Sequence, residues 1–142
     1  MKKSARGVTL IELMVVIAVL AVIASIAVPS YRGYVRRAQR ADATAALLQL
    51  RQMQEKFFLQ NSQYATGAQL TTAPPGGLGL KTTSEHGHYD IVLNRPTPTT
   101  FTATATASAT GGQTSDGPCQ TFTINEAGVR GSGPGAITTC WK

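Results

Sequence analysis

The sequence predicts an α+β protein, in which one long N-terminal helix packs on an antiparallel sheet of about four strands. Residues 8–31 form a largely apolar run, and residues 32–61 combine helix-favouring residues with an apolar stripe. Residues 62–142 alternate short β-type runs with turn-forming residues. A long helix followed by several strands is typical of an α+β domain, and the chain length allows a single domain or one domain plus an appendage.

The charge distribution excludes an ordinary cytosolic globule. Only 14% of the 142 residues are charged, against roughly 25% in an average soluble domain. The formal net charge of +6 comes from positive residues that flank the apolar run: Lys2, Lys3 and Arg6 before it, and Arg32, Arg36, Arg37 and Arg40 after it. From residue 63 onward positive and negative residues balance, so the high isoelectric point does not by itself indicate a nucleic-acid binder.

Residues 13–31 contain no charge and span roughly 28 Å as a helix, about the thickness of one hydrocarbon core. This predicts a membrane-spanning helix, with a cleaved secretory signal or a simple signal anchor as alternatives. Glu12 argues against both alternatives, because an unpartnered carboxylate at membrane depth is costly and marks a functional candidate. The remaining structural explanation is that Glu12 lies at the membrane interface.

The partner that we expect for Glu12 is a newly formed N-terminus. Gly7 lies directly before the apolar run, and cleavage after it would leave an α-ammonium group on Val8. Val8 precedes Glu12 by four residues, about one helical turn. The pair could form within one chain or with the terminus of a neighbouring chain.

These residues resemble the leader and N-terminal helix of type IV prepilins. The match consists of Lys2-Lys3-Ser4-Ala5-Arg6-Gly7, then Val8-Thr9-Leu10-Ile11-Glu12-Leu13, the apolar run and Pro29. The resemblance implies cleavage after Gly7 by a membrane prepilin peptidase, N-methylation of Val8, and neutralisation of an adjacent subunit's terminus by Glu12. The family usually has Phe where Val8 stands, and we expect cleavage to be retained because it depends mainly on the glycine.

The predicted helix continues beyond the membrane. Pro29 removes one helical hydrogen bond, which indicates either plain curvature or a weak point that unwinds during filament assembly. From Arg32 to Gln60 the composition favours helix. Apolar residues at 3–4 spacing predict the stripe that faces the head: Ala43, Ala46, Leu47, Leu50, Met53 and Phe57.

The arginine cluster Arg32, Arg36, Arg37 and Arg40 predicts a band that faces solvent or lipid headgroups. Acids of neighbouring subunits and nucleic acid are the alternatives. We do not expect nucleic acid as a partner, because the cluster is not interleaved with exposed aromatic residues.

The C-terminal head is predicted to begin with a loop over residues 62–86. Alternating patterns predict strands at 88–94, 99–108 and 120–124, with a final short strand at 137–140. The residues predicted to point inward are Tyr89, Ile91, Leu93, Phe101, Ala103, Ala105, Ala107, Phe122 and Ile124.

Cys119 and Cys140 are the two cysteines of the chain. An even cysteine count in an exported chain suggests a disulfide, with two buried thiols as the alternative. The closed loop again resembles that of type IV pilins. The flanking segments Phe57-Phe58-Leu59, Tyr64-Ala65-Thr66, 119–128 and Cys140-Trp141 resemble minor pilins of the PilE kind.

No pattern in the sequence predicts a catalytic site, a cofactor or a metal site. The segment 85–90 places His86 and His88 on one strand face. A metal site needs three or four ligands with supporting contacts, so we expect these to be surface histidines. No nucleophile–base arrangement and no phosphate-binding glycine loop is present in the sequence.

The sequence therefore predicts a leader peptide (1–7), a hydrophobic transmembrane and assembly helix (8–31), an amphipathic helix (32–61) and a head with a disulfide-bounded loop (62–142). The resemblance implies a structural subunit, a minor pilin of a type IV pilus, in pilus assembly, adhesion and twitching motility. Its expected partners are other pilin subunits, the prepilin peptidase and the inner-membrane assembly platform. Its expected location is the bacterial inner membrane and then the cell-surface pilus. The alternatives are a type II secretion pseudopilin and a DNA-binding competence pilin.

Overall fold

The computed structural model describes residues 8–141. The chain forms two compact units, one extending to Val35 and the other beginning at Arg36. Helix α1 (Leu10–Asn61) contributes to both units. The expected leader, including Gly7, lies outside the described residues.

The first unit consists of the N-terminal part of α1. Its side chains are mostly exposed, and an 18-residue window of the helix has a mean hydropathy of 2.9. By length and composition this helix can cross a membrane. The exposed apolar surface of such a segment is stable only when lipid or neighbouring chains cover it.

The second unit is the head, a four-stranded antiparallel sheet with the C-terminal part of α1. The strands are β1 (Tyr89–Thr97), β2 (Thr100–Ala107), β3 (Cys119–Asn125) and β4 (Arg130–Pro134), and they lie in the order β1-β2-β3-β4. A four-residue helix, α2 (Ile137–Cys140), follows β4. The predicted α+β class and four-stranded antiparallel sheet are confirmed.

The register of the sheet aligns its inward-facing residues in rows. Leu93 pairs with Ala103, which pairs with Ile124, so one row crosses three strands. Small alanines on β2 leave room for α1, whose buried Leu47 and Leu50 belong to the same apolar core. The predicted stripe is largely confirmed, although Ala46 and Met53 are only partly buried.

The prediction of a strand at 137–140 is wrong, because these residues form α2 and the fourth strand is β4. β4 contains Gly131, which pairs with Thr123 of β3. A Cβ on Gly131 would collide with the Thr123 hydroxyl, so glycine permits this strand to approach β3. Alternation of apolar side chains cannot reveal a strand that is built from such small residues.

The segment between α1 and β1 contains a short 3₁₀ helix (Gly67–Gln69) and packs on the core despite its irregular backbone. Tyr64, Leu70 and Leu78 are buried there. Gln54 of α1 is fully buried and anchors the segment, because its side chain accepts from the Ala65 N–H at 2.8 Å and donates to the Ala65 carbonyl at 3.0 Å. A polar residue therefore completes the helix face that packs on this segment.

Candidate functional site

The N-terminal end of α1 places Glu12 in the first helical turn. Thr9 precedes the helix, and its hydroxyl oxygen accepts a hydrogen bond from the Glu12 N–H at 3.3 Å. This is half of a capping box, for which Thr-x-x-Glu is the sequence signature. Sequence reasoning missed Thr9, although that spacing could have identified it. The cap fixes where the helix begins and hence the position of Glu12 relative to Val8.

Val8 and the following apolar residues are exposed in the single chain, with Val8 73% exposed. Glu12 is exposed as well and forms no ion pair with any residue that the structure describes. A carboxylate near a helix N-terminus is favoured by the helix dipole. Within an apolar surrounding, however, it still requires a cation to offset its desolvation.

Pro29 lies inside α1, which continues through it as helix. Proline has no N–H, so the carbonyl four residues earlier, on Ser25, loses its normal helical partner. The Ser25 hydroxyl donates to the Val22 carbonyl at 2.7 Å. The structure thus shows a helix with one missing hydrogen bond, and the expected unwinding at Pro29 stays a prediction.

The arginine cluster does not behave as one exposed band. Arg40 forms two hydrogen bonds to the Asp116 carboxylate within the head, and its side chain is only 12% exposed. Arg36 donates a long hydrogen bond of 3.4 Å to the Ser115 carbonyl. Arg37 is exposed. The expected solvent or lipid band is therefore wrong for Arg40, because an acid of its own head neutralises it.

Cys119 at the start of β3 and Cys140 in α2 form a disulfide, with their Cα atoms 5.5 Å apart. Next to it, the Trp141 indole N–H donates to the Gly131 carbonyl at 2.7 Å. The Arg130 guanidinium lies 5.0 Å from the Trp141 ring centre. These contacts fix Trp141 to β4, an edge strand of the sheet.

Asp42 is a buried carboxylate that sequence reasoning missed. It accepts hydrogen bonds from the Ser84 hydroxyl at 2.6 Å and from His86 Nδ1 at 3.1 Å, and longer ones from the backbone N–H groups of His86 and His88. Burial raises the pKa of Asp42, but these hydrogen bonds outweigh burial and leave the pKa below its ordinary value. The only sign of this buried carboxylate in the sequence is that Asp42 directly precedes Ala43, the first residue of the apolar stripe.

Ser84, Asp42 and His86 lie in contact, with the Asp42 carboxylate between the Ser84 hydroxyl and the His86 ring. Among residues 8–141 there is no group of three or more His, Cys, Asp or Glu side chains that could hold a metal ion. An open groove of about 180 Å³ lies between α1 and the segment before β1 and is lined by both apolar and polar residues.

Two family models match the chain, and together they cover most of it. The model described as "Type IV minor pilin ComP, DNA uptake sequence receptor" matches residues 29–123. The model described as "Prokaryotic N-terminal methylation motif" matches residues 2–28. No curated protein sequence matches the chain.

Two solved structures share this fold. A type IV pilin from Shewanella oneidensis is 19% identical with a TM-score of 0.51, and the match covers 75% of this chain and 98% of that one. The non-core minor pilin PilV from Neisseria meningitidis is 21% identical with a TM-score of 0.51, covering 75% and 94%. At these identities the likeness establishes the fold alone.

Proposed function

This chain belongs to the type IV minor pilin family, and we propose that it enters the pilus by pairing Glu12 with the N-terminus of a neighbouring subunit. The prepilin motif and the apolar helix place the protein in the inner membrane before assembly and in a surface pilus afterwards. Cleavage after Gly7 creates the amine on Val8 that Glu12 requires. The inner-membrane assembly platform is the third expected partner, beside other pilins and the prepilin peptidase.

The observation that carries this proposal is the exposed Glu12 within an exposed apolar helix surface. Packing of such helices against one another removes apolar area from water or lipid. The apolar side chains, however, offer no cation to pair with Glu12. A neighbour's α-ammonium supplies the missing cation at the first turn. The ion pair then sets the axial register of neighbouring helices, while the apolar contacts contribute most of the packing energy.

The test is the composition of filaments sheared from cells that express the protein. Mass spectrometry is expected to find the chain there with N-methylated Val8 as its first residue. A Gly7→Leu variant is expected to keep residues 1–7 and to be absent from the filaments. Absence of the unaltered chain from every filament preparation contradicts the proposal.

The protein's role in the pilus is structural, and we assign no reaction to it. The match to a pilus minor pilin favours the pilus over a secretion pseudopilin. Adhesion and twitching motility are proposed consequences of pilus assembly. Both are tested by comparing surface attachment and colony spreading of a deletion strain with those of the complemented strain.

A second candidate function is DNA binding by the head. The matched family model is described as a DNA uptake sequence receptor, and its match includes much of the head. In the part of the head that the structure describes, Arg37, Lys56 and Arg130 are exposed and form no ion pair. Their charges are free to neutralise phosphates, whereas Arg40 and Lys81 are paired with acids. These exposed cations therefore support nucleic acid as a partner, which the sequence alone did not predict.

Fluorescence anisotropy with a labelled DNA duplex tests this function. Replacing Arg37, Lys56 and Arg130 by Gln is expected to weaken binding and to lower the salt slope by about 0.9 for each phosphate that the variant no longer neutralises. Lys81→Gln is the matched control, because Glu85 already neutralises Lys81. Absence of binding at low salt rejects DNA binding and leaves the pilus role intact.

A further inference from the structure

The hydroxyl of Thr9 has a different role from the hydroxyls of Ser25 and Thr44. The Thr9 hydroxyl oxygen accepts a hydrogen bond from the Glu12 N–H at 3.3 Å, and the Thr9 carbonyl accepts one from the Leu13 N–H at 3.2 Å. The hydroxyls of Ser25 and Thr44 instead donate to carbonyls three residues earlier. Thr9 is therefore the N-cap residue of α1, whereas Ser25 and Thr44 lie inside the helix.

The cap determines where Glu12 stands on the helix. Because α1 begins at Leu10, Glu12 is its third residue and lies in the first turn. When a first turn frays, its residues leave the helical geometry, and the Glu12 carboxylate then has no fixed height or direction relative to a neighbouring helix. Loss of a threonine N-cap typically lowers the ratio of formed to frayed turn roughly fivefold.

The Glu12 carboxylate itself has acceptor capacity to spare. It forms no hydrogen bond or ion pair with any residue that the structure describes. In a complete capping box, a glutamate at this position accepts from the N–H of the N-cap residue, here Thr9. Since an ionised carboxylate has about four acceptor sites on two oxygens, one oxygen can accept from Thr9 while the other contacts a neighbour's α-ammonium.

We propose that Thr9 is a positioning residue for the pairing of Glu12 with a neighbour's N-terminus. The Thr9 hydroxyl holds the first turn of α1, and the Thr9 N–H donates to one oxygen of the Glu12 carboxylate. The carboxylate is thereby fixed at the helix start before the neighbour arrives, so less conformational entropy is lost when the ion pair forms. This inference rests on the pairing proposed above and adds a residue that the pairing alone does not require.

Amide hydrogen exchange of the full chain in detergent micelles tests the two contacts. Thr9→Val keeps the shape of the side chain but removes the hydroxyl, and it is expected to accelerate exchange of the Glu12 amide roughly fivefold. Thr9→Ser keeps the hydroxyl and should leave that rate unchanged. Exchange of the Thr9 amide is expected to accelerate in Glu12→Ala but not in Glu12→Gln, because glutamine also completes a capping box.

Filament incorporation tests the functional consequence. Each variant is expressed beside the unaltered chain, and their ratio in sheared filaments is compared with the ratio of cleaved chains in the membrane, so altered cleavage does not enter the result. Thr9→Val is expected to be depleted from filaments roughly two- to fivefold, and Thr9→Ser is not. Thr44→Val is the matched control, because it makes the same change on the same helix where the hydroxyl donates to the Ala41 carbonyl.

The outcomes separate this proposal from the pairing of Glu12. If Thr9→Val enters filaments as well as the unaltered chain while Glu12→Gln does not, the role of Thr9 is overturned and the pairing stands. Normal incorporation of Glu12→Gln overturns both. Equal depletion of Thr9→Ser and Thr9→Val, or of Thr44→Val and Thr9→Val, also overturns the role of the Thr9 hydroxyl.

Discussion

Arg40 of α1 and Asp116, which precedes β3, form a two-pronged ion pair inside the head. Arg40 Nε lies 2.7 Å from one carboxylate oxygen, and Nη2 lies 2.9 Å from the other. The two side chains are 12% and 4% exposed, and Arg40 Nη1 also donates to the Thr139 carbonyl at 3.0 Å. One arginine therefore joins the helix, the segment before β3 and α2.

The first prediction concerns this pair. Asp116→Asn or Arg40→Gln is expected to lower the free energy of unfolding by about 3 kcal/mol, because each leaves an uncompensated charge or donor in the interior. The double variant Arg40→Met/Asp116→Leu is expected to lose less than the sum of the single changes. Urea unfolding followed by circular dichroism measures all three. Lys81→Gln, from an exposed pair, is the control and should change the value by less than about 0.5 kcal/mol.

Gln54 provides the second prediction, since its amide joins α1 to the Ala65 backbone. Gln54→Leu keeps the apolar volume but leaves the Ala65 N–H and C=O buried without partners, at a cost of about 2 kcal/mol. Hydrogen exchange of the Ala65 amide is expected to accelerate strongly. The exposed Gln52→Leu should leave that exchange rate unchanged; comparable acceleration in both variants would count against this role for Gln54.

The third prediction is a loss of stability at alkaline pH. Burial is the main cause that raises the pKa of Tyr89 from 10.0 to about 12. A raised pKa stabilises the protonated folded form, so this contribution is complete below pH 10 and is lost as pH rises towards 12. Tyr89→Phe is therefore expected to flatten the fall in unfolding free energy between pH 10 and 12.

At neutral pH Tyr89→Phe should also cost about 1 kcal/mol, because the phenol accepts from Gln113 Nε2 and donates to the Cys119 carbonyl. The exposed Tyr34→Phe serves as the control. If the free energy of unfolding fell equally between pH 10 and 12 in Tyr89→Phe and in the unaltered protein, the raised pKa of Tyr89 would not be the cause of the fall.

The fourth prediction concerns the disulfide between Cys119 and Cys140, which closes a loop with a sequence separation of 21. Replacing both cysteines by Ala is expected to lower the free energy of unfolding by about 3 kcal/mol, because the open loop gains conformational freedom in the unfolded chain. Added reductant should lower the unfolding midpoint of the unaltered protein and not that of the variant. An effect of reductant on both proteins would contradict the explanation.

The sequence predicts the parts of the fold that follow from periodic patterns. Alternation of Phe101, Ala103 and Ala105 identified β2, and all three are buried as expected. β4 was missed because its glycines and serine carry no apolar pattern, and its pairing with β3 depends on a close backbone approach. Apolar patterns in the sequence predict elements that bury side chains. They do not predict a strand such as β4, whose contacts are made by its backbone.

The functional residues proposed near the N-terminus can be predicted from local spacing, because Gly7, Val8 and Glu12 lie within one short segment, and their roles stay predictions. The contacts of Asp42 could not be predicted from the sequence, since its partners lie 42 to 46 positions away and only the fold brings them together. Arg40 was misread for the same reason, because Asp116 is 76 positions distant.

Incorporation of Glu12→Gln into pili is the most direct measurement of how this protein works. The variant keeps the size and helix propensity of the side chain and removes only its charge. Sheared filaments are quantified by mass spectrometry against total cellular protein, with Ser25→Ala as a control on the same helix. A strong loss of Glu12→Gln from filaments, with normal cleavage after Gly7 and unchanged membrane levels, is predicted. Incorporation equal to that of the unaltered chain would contradict the pairing of Glu12 with a neighbour's N-terminus.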